Sequence, residues 1–340
     1  MISQVIEVPS PLGLRPSGLE DAPDALRRAG LHERLGSPDA VRIDVPPYDD
    51  VRDPETGILN PQGIAAVARD VASAVDATLD AGRFPVLLGG DCSIVLGPLL
   101  ALRRRGRYGL AFLDGHADFQ HPSDEPNGEV ASLDLAVATG RGPDLLTDLE
   151  GLRPLVRDED VALVGYRVLD DNDHFLGEHI RSTAITVVDL TEVRETGTGR
   201  ALGKGLATLT KPDLEGFWVH LDVDVLDDAL MPAVDYRHPG GSGIHDRHRA
   251  QARSARTHPH KRCALHHVTA MRHRIDVPGR RDTQRYDAIG QDVLRRPQGL
   301  HAVVMRPAGV PGRLILGRAA RRGWTGGSHR RARSTQPGGC

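Results

Sequence analysis

The sequence predicts an α/β fold with a mainly parallel sheet covered by helices, followed by an irregular basic tail. Two observations predict it. Short apolar runs alternate with helical segments through residues 1–240, the pattern of a parallel sheet wrapped on both faces. Beyond residue 240 that periodicity fades into Arg-, His-, Pro- and Gly-rich text. The chain therefore divides into 1–240, a sheet-and-helix domain, and 241–340, a tail without a readable element.

The candidate strands are 41–46 (VRIDVP), 85–89 (PVLLG), 109–113 (GLAFL), 160–165 (DVALVG), 184–189 (AITVVD) and 217–223 (FWVHLDV). Residues 61–82 read as a helix, with Pro61 at the start, apolar residues at helical spacing and Gly82 at the end. Further helices are expected over 94–105, 130–139 and 203–215. In the tail only 301–305 and 313–316 form short apolar islands.

At 340 residues the chain is long enough for one large α/β domain with an appendage. No apolar run approaches the roughly 20 residues of a membrane span, and the start MISQVIEVPSPLG lacks the basic and apolar regions of a secretory leader. Cys92, Cys263 and Cys340 are far apart and form no CxxC, so neither a disulfide framework nor a structural zinc is expected. These features predict a soluble protein of the reducing cytoplasm, without a membrane partner.

Three predicted strands end in residues that ligate metals. Strand 85–89 runs into Gly89-Gly90-Asp91-Cys92-Ser93, strand 109–113 into Asp114-Gly115-His116-Ala117-Asp118, and strand 217–221 into Asp222-Val223-Asp224. Reactive residues of such sheets gather beyond the carboxyl ends of the strands. In extended backbone, residues i, i+2 and i+4 share a face, which would aim Asp114, His116 and Asp118 into one site, with Asp222 and Asp224 from a neighbouring strand. A lone DxD or GGD is ordinarily a turn. Four carboxylates and a histidine converging in one buried place require cations, and oxygen-rich ligation with one nitrogen suits two divalent ions such as Mn2+.

The order GGDxS, DxHxD and a strand ending in DVD, followed by Leu226-Asp227 and Met231-Pro232-Ala233, resembles the signature blocks of the arginase/agmatinase/formimidoylglutamase (ureohydrolase) family over residues 12–240. The resemblance implies a three-layer α/β/α fold, and Asp114 and Asp222 bridging two metals. It further implies Asp118 completing one metal site and His116 with Asp224 the other. It also implies the activity, in which a metal-bridging hydroxide attacks the amidine carbon of a small guanidino or formimino substrate and releases urea or formamide plus an amine. Asp118 would hold that hydroxide by a hydrogen bond, and a homo-oligomer is expected.

Four departures from the family pattern stand out. The residue after GGD is Cys92 where most members carry a ligating histidine; it reads as a thiolate ligand, a small buried thiol or a nucleophile. The loop after DxHxD, Pro126–Ser132, lacks the histidine-bearing motif of arginases proper, which leaves His121 as a candidate proton shuttle and Asn127 and Glu129 as candidate substrate contacts. The glutamate that pairs with the substrate guanidinium downstream of the DVD block is missing, since Glu215 is the last in the chain. Finally, residues 1–240 carry 22 Lys+Arg against 41 Asp+Glu, whereas 241–340 carry 21 against 5. An abrupt change near Pro239-Gly240-Gly241 is what reading a GC-rich gene out of frame would produce. The rival expectation is a catalytically impaired homologue with a polyanion-binding tail. The tail lacks aromatic interleaving and any recognisable module, so sequence-specific nucleic-acid binding is not expected.

Overall fold

The computed structural model describes residues 2–168, 179–235 and 240–242 in full, and the backbone of 267–273. The apolar islands at 301–305 and 313–316 lie outside the described residues. Among the described residues one eight-stranded sheet is the organising element: β1 (Ser3–Val8), β2 (Val41–Arg42), β3 (Phe84–Gly89), β4 (Tyr108–Leu113), β5 (Val161–Val164), β6 (Thr186–Val188), β7 (Gly216–Leu221) and β8 (His267–His273). Their order is β2-β1-β3-β8-β7-β4-β5-β6. Every pairing is parallel except those of β8, which runs antiparallel to β3 on one side and β7 on the other.

The described helices are α1 (Ala22–Arg28), α2 (Leu31–Arg34), α3 (Pro61–Asp80), α4 (Leu96–Arg105), α5 (Asp134–Ala138), α6 (Asp144–Thr147), α7 (Leu190–Thr196) and α8 (Thr198–Leu209). α3 begins with Pro61, whose missing N–H costs nothing in a first turn, and is followed by Gly82 at φ 65°, the left-handed position that closes a helix. Its buried stripe of Ile64, Val67, Val71 and Val75 packs on α4 and on β1 and β3. Each such side chain contributes about 1.5–3 kcal/mol on full burial.

Side-chain alternation along β4 separates two cores. Leu110 and Phe112 join α3, α4 and Trp218 in the larger core, whereas Ala111 meets Ala162, Phe217 and Leu209 of α8 on the opposite face. Helices therefore cover both faces, giving the three-layer α/β/α arrangement. Among the described residues no helix is long and apolar enough to cross a membrane.

The structure shifts several predicted boundaries. The helix expected over 203–215 is α8, displaced toward the N-terminus, because Pro212 begins the turn that leads to β7. The helix expected over 130–139 is a 3-10 turn, Val130–Ser132, followed by α5. β1 was not predicted: Gln4 and Glu7 interrupt its apolar run, yet all six residues are buried. β8 places one regular element inside the tail that was expected to be irregular.

Candidate metal centre

The three strand-end motifs converge through turns rather than through extended backbone. After β3, Asp91 accepts hydrogen bonds from the Ser93 N–H (2.9 Å), the Ser93 hydroxyl and the Ser10 hydroxyl (2.7 Å), which fixes the short 3-10 turn that opens at Cys92. Gly90 belongs there because a Cβ would lie 2.0 Å from the Ser10 carbonyl oxygen. After β7, the Asp222 side chain accepts the Asp224 N–H at 2.8 Å, so both carboxylates stand on one tight turn.

After β4 the backbone leaves the extended conformation, and Asp118 sits at φ 43°. The expectation that Asp114, His116 and Asp118 line one face by strand alternation is thus corrected. Asp114, His116 and Asp224 form one group whose candidate ligand atoms lie within 4.8 Å of one another, while Asp118 joins Cys92 and Asp134 in another. Within the first, His116 Nδ1 is 2.7 Å from Asp224 Oδ2 and 3.9 Å from Asp114 Oδ1. Asp222 connects to the second, its Oδ2 accepting the Cys92 thiol at 3.4 Å. Gly115 lets the first group close: a Cβ there would come within 2.2 Å of Arg167 Nη2 and 2.8 Å of Asp224 Oδ1.

Burial makes this cluster electrostatically demanding. Burial, reinforced by Asp118, Asp224 and Asp222, pushes Asp114 well above the ordinary carboxylate range. Burial also lifts Asp118 to about 7 against the opposing pull of His116. Burial followed by Asp222 raises the Cys92 thiol. For His116, burial favours the neutral ring, but the Asp224 and Asp118 carboxylates outweigh it and raise it to about 9. Among the described residues, Asp114 Oδ2 and both carboxylate oxygens of Asp134 are buried without a hydrogen-bond partner. Buried carboxylates that face one another with oxygens left over from their hydrogen bonds are the donor set that divalent cations neutralise, so the residues present fit such ions.

The other expected site residues lie on the loop that follows. His121 is exposed; its Nδ1 accepts the Ser123 N–H at 3.2 Å and lies 2.8 Å from the Ser123 hydroxyl. Asn127 is exposed and its N–H donates to Glu125 Oε1 at 2.8 Å. Glu129 is buried, with Arg15 Nε 3.7 Å from its carboxylate. Sequence reading missed Asp134, hidden in the apolar text VASLDLAVA, and Arg167, buried with Nη2 4.0 Å from Asp224 Oδ1. A charged residue interrupting an apolar stretch was the available signal for Asp134.

Residues 4–259 match the family model described as the arginase family. The chain belongs to the arginase family. The arginase of Bacillus caldovelox is 31% identical over 256 residues, which span 72% of this chain and 83% of that relative. Its native structure at pH 5.6 matches with a TM-score of 0.65 and 30% identity, covering 72% of this chain and 83% of that one. Formimidoylglutamase from Bacillus subtilis subsp. subtilis str. 168 matches with a TM-score of 0.53 and 19% identity over 72% of each chain, a likeness of fold alone. The arginase-family match begins before, and extends beyond, the 12–240 span marked by the motifs. It takes in β1, whose sequence carries no motif.

Proposed function

We propose that this arginase-family chain is a metal-dependent hydrolase of a guanidino or formimino C–N bond, releasing urea or formamide and an amine. The observation that carries the reading is the convergence of three strand-end turns on two groups of candidate ligands, all buried except the half-buried His116, with Asp114 Oδ2 and both Asp134 oxygens lacking hydrogen-bond partners among the described residues. Cys92, Asp114, His116, Asp118, Asp222 and Asp224 would hold two divalent ions, Mn2+ being the choice of an oxygen-rich set. Such a pair, when bound, supplies a water-derived nucleophile at neutral pH, which a resonance-stabilised guanidinium otherwise resists.

The remaining roles fall to the chain's own residues. Asp118, pinned by its left-handed backbone, accepts the hydrogen bond that orients the nucleophile. Glu129 and Asn127 receive the charged end of the substrate, and His121 carries the proton to the departing amine from the exposed loop. Because Pro126–Ser132 lacks a histidine motif, the substrate's far end differs from that of arginine. The protein works in the cytoplasm as a homo-oligomer.

One observation favours a second reading. Glu215 is the last glutamate, so the carboxylate that the family resemblance places against the guanidinium is missing, and the chain would be a metal-binding homologue with impaired turnover. Purified protein loaded with Mn2+ and assayed for urea and formamide with arginine, agmatine, guanidinobutyrate and formiminoglutamate separates the two. Turnover of any one supports the hydrolase; two bound ions with no turnover on all four supports the impaired homologue.

A further inference from the structure

Asp134 is the one acidic residue of the cluster that neither the motifs nor the family resemblance accounts for. It is the first residue of α5, directly behind the 3-10 turn Val130–Ser132. Its side chain is fully buried, neither carboxylate oxygen has a hydrogen-bond partner among the described residues, and a carboxylate oxygen lies within 4.8 Å of the Cys92 Sγ and Asp118 ligand atoms. Burying an under-satisfied carboxylate costs several kcal/mol, and beyond a weak approach of the Leu135 backbone N–H the described residues offer it no donor. The backbone of the same segment is tied to the site, since the Ala136 N–H donates to the Asp118 carbonyl at 3.2 Å. α5 also packs on the turn that carries Cys92.

We propose that Asp134 is a metal ligand, and that Cys92, Asp118 and Asp134 form a thiolate–carboxylate position chemically distinct from the Asp114–His116–Asp224 position. The inference rests on the two-ion reading of the site and divides its ions by type. One position offers sulfur and two carboxylates, a set that takes Zn2+, Fe2+ or Co2+ ahead of Mn2+; the other offers oxygen and one imidazole nitrogen and remains an Mn2+ position. A bound ion would deprotonate the Cys92 thiol outright, so the softer position carries its own spectroscopic label.

The test uses the full-length chain stripped by chelation and titrated with Co2+ alone, followed by absorption, bound-metal stoichiometry and thermal melting. The parent chain is expected to bind two Co2+, one of them showing thiolate-to-cobalt charge-transfer absorption that Cys92→Ser abolishes. Asp134→Asn should weaken that ion by at least about tenfold and leave the other in place. Asp224→Asn should do the converse, weakening the second ion while preserving the thiolate absorption. Without metal, Asp134→Asn and Asp134→Leu should melt no lower than the parent, because each removes an unpaired buried carboxyl. An Asp134→Asn chain that binds both ions with parental affinity and absorption overturns the proposal, as does a lowered metal-free melting point in both Asp134 variants. A parent that binds no Co2+ overturns this proposal and the hydrolase reading together. A parent that behaves as expected here but turns over no amidine sinks the hydrolase reading alone.

Discussion

Asp114 belongs to one group of candidate ligands and Asp222 touches Cys92 of the other, and these two are the carboxylates proposed to bridge the ions. Replacing either with alanine is expected to lower turnover by at least about a thousandfold, roughly 4 kcal/mol of transition-state stabilisation. Steady-state kinetics under saturating Mn2+ measures it, and near-parental rates for both variants would rule out a two-ion site. Metal affinity should also fall on acidification. Burial lifts Asp118 to about 7 and pushes the Cys92 thiol above its ordinary range, so protons compete with the ions increasingly below neutral pH. Titrations at pH 8 and pH 6 should show weaker binding at the lower value. At this scale much was legible: six candidate ligands occur in three short motifs, because strand-end chemistry is written in contiguous residues. Asp134 was not, since its membership depends on how α5 folds back over the Cys92 turn. Strand alternation alone put Asp114, His116 and Asp118 on one face; their division between two groups, which the family resemblance implied, goes with the left-handed backbone at Asp118.

Among the elements, β1 shows how a charged residue can sit inside a buried strand. Glu7 is fully buried, and Arg27 Nη2 (2.7 Å), Arg42 Nη1 (3.1 Å) and His32 Nε2 (2.9 Å) surround its carboxylate. Burial works to raise its pKa, but Arg27 and Arg42 outweigh it and hold Glu7 below the usual 4.5. A carboxylate depressed in the folded state contributes stability that is fully present above 4.5 and is lost as the pH falls through its folded value. Glu7→Gln is therefore expected to cost about 1–3 kcal/mol at pH 7 and to flatten the acid limb of the stability curve. Urea melts at pH 7 and pH 3 would show it, and an unchanged acid limb would exclude Glu7 as a contributor. The pairing of β1 was illegible in sequence because its compensating charges come from α1, α2 and β2. β8 admits a similar test. Ala270 pairs with Val86 of β3 and Val219 of β7, so Ala270→Pro should destabilise the chain by about 2–3 kcal/mol, through lost ladder hydrogen bonds in a central strand. A melting temperature equal to the parent's would show that the strand contributes nothing to the fold.

Across the whole molecule, acidic text before residue 240 meets arginine-rich text after it. Our proposal is that residues 241–340 arise from a shifted reading frame; independent resequencing of the gene should reveal the shift, and an uninterrupted frame reproducing this tail would refute it. A chain ending at residue 240 should also lose any attraction to polyanions, and that attraction in the full chain should decline steeply with salt, as counterion release dictates. The fold class was readable over most of the chain because parallel strands and covering helices have local periodicities. What joins the strands of the central sheet was not. The order β3-β8-β7 makes a seam, with Cys92 on one side and Asp114, Asp118, Asp222 and Asp224 on the other. An ion held by Cys92 and Asp118 would cross that seam like a rivet. Metal loading and tail insertion would then fasten the same joint, so chelation should loosen amide protection along β3 and β7 before it is lost elsewhere.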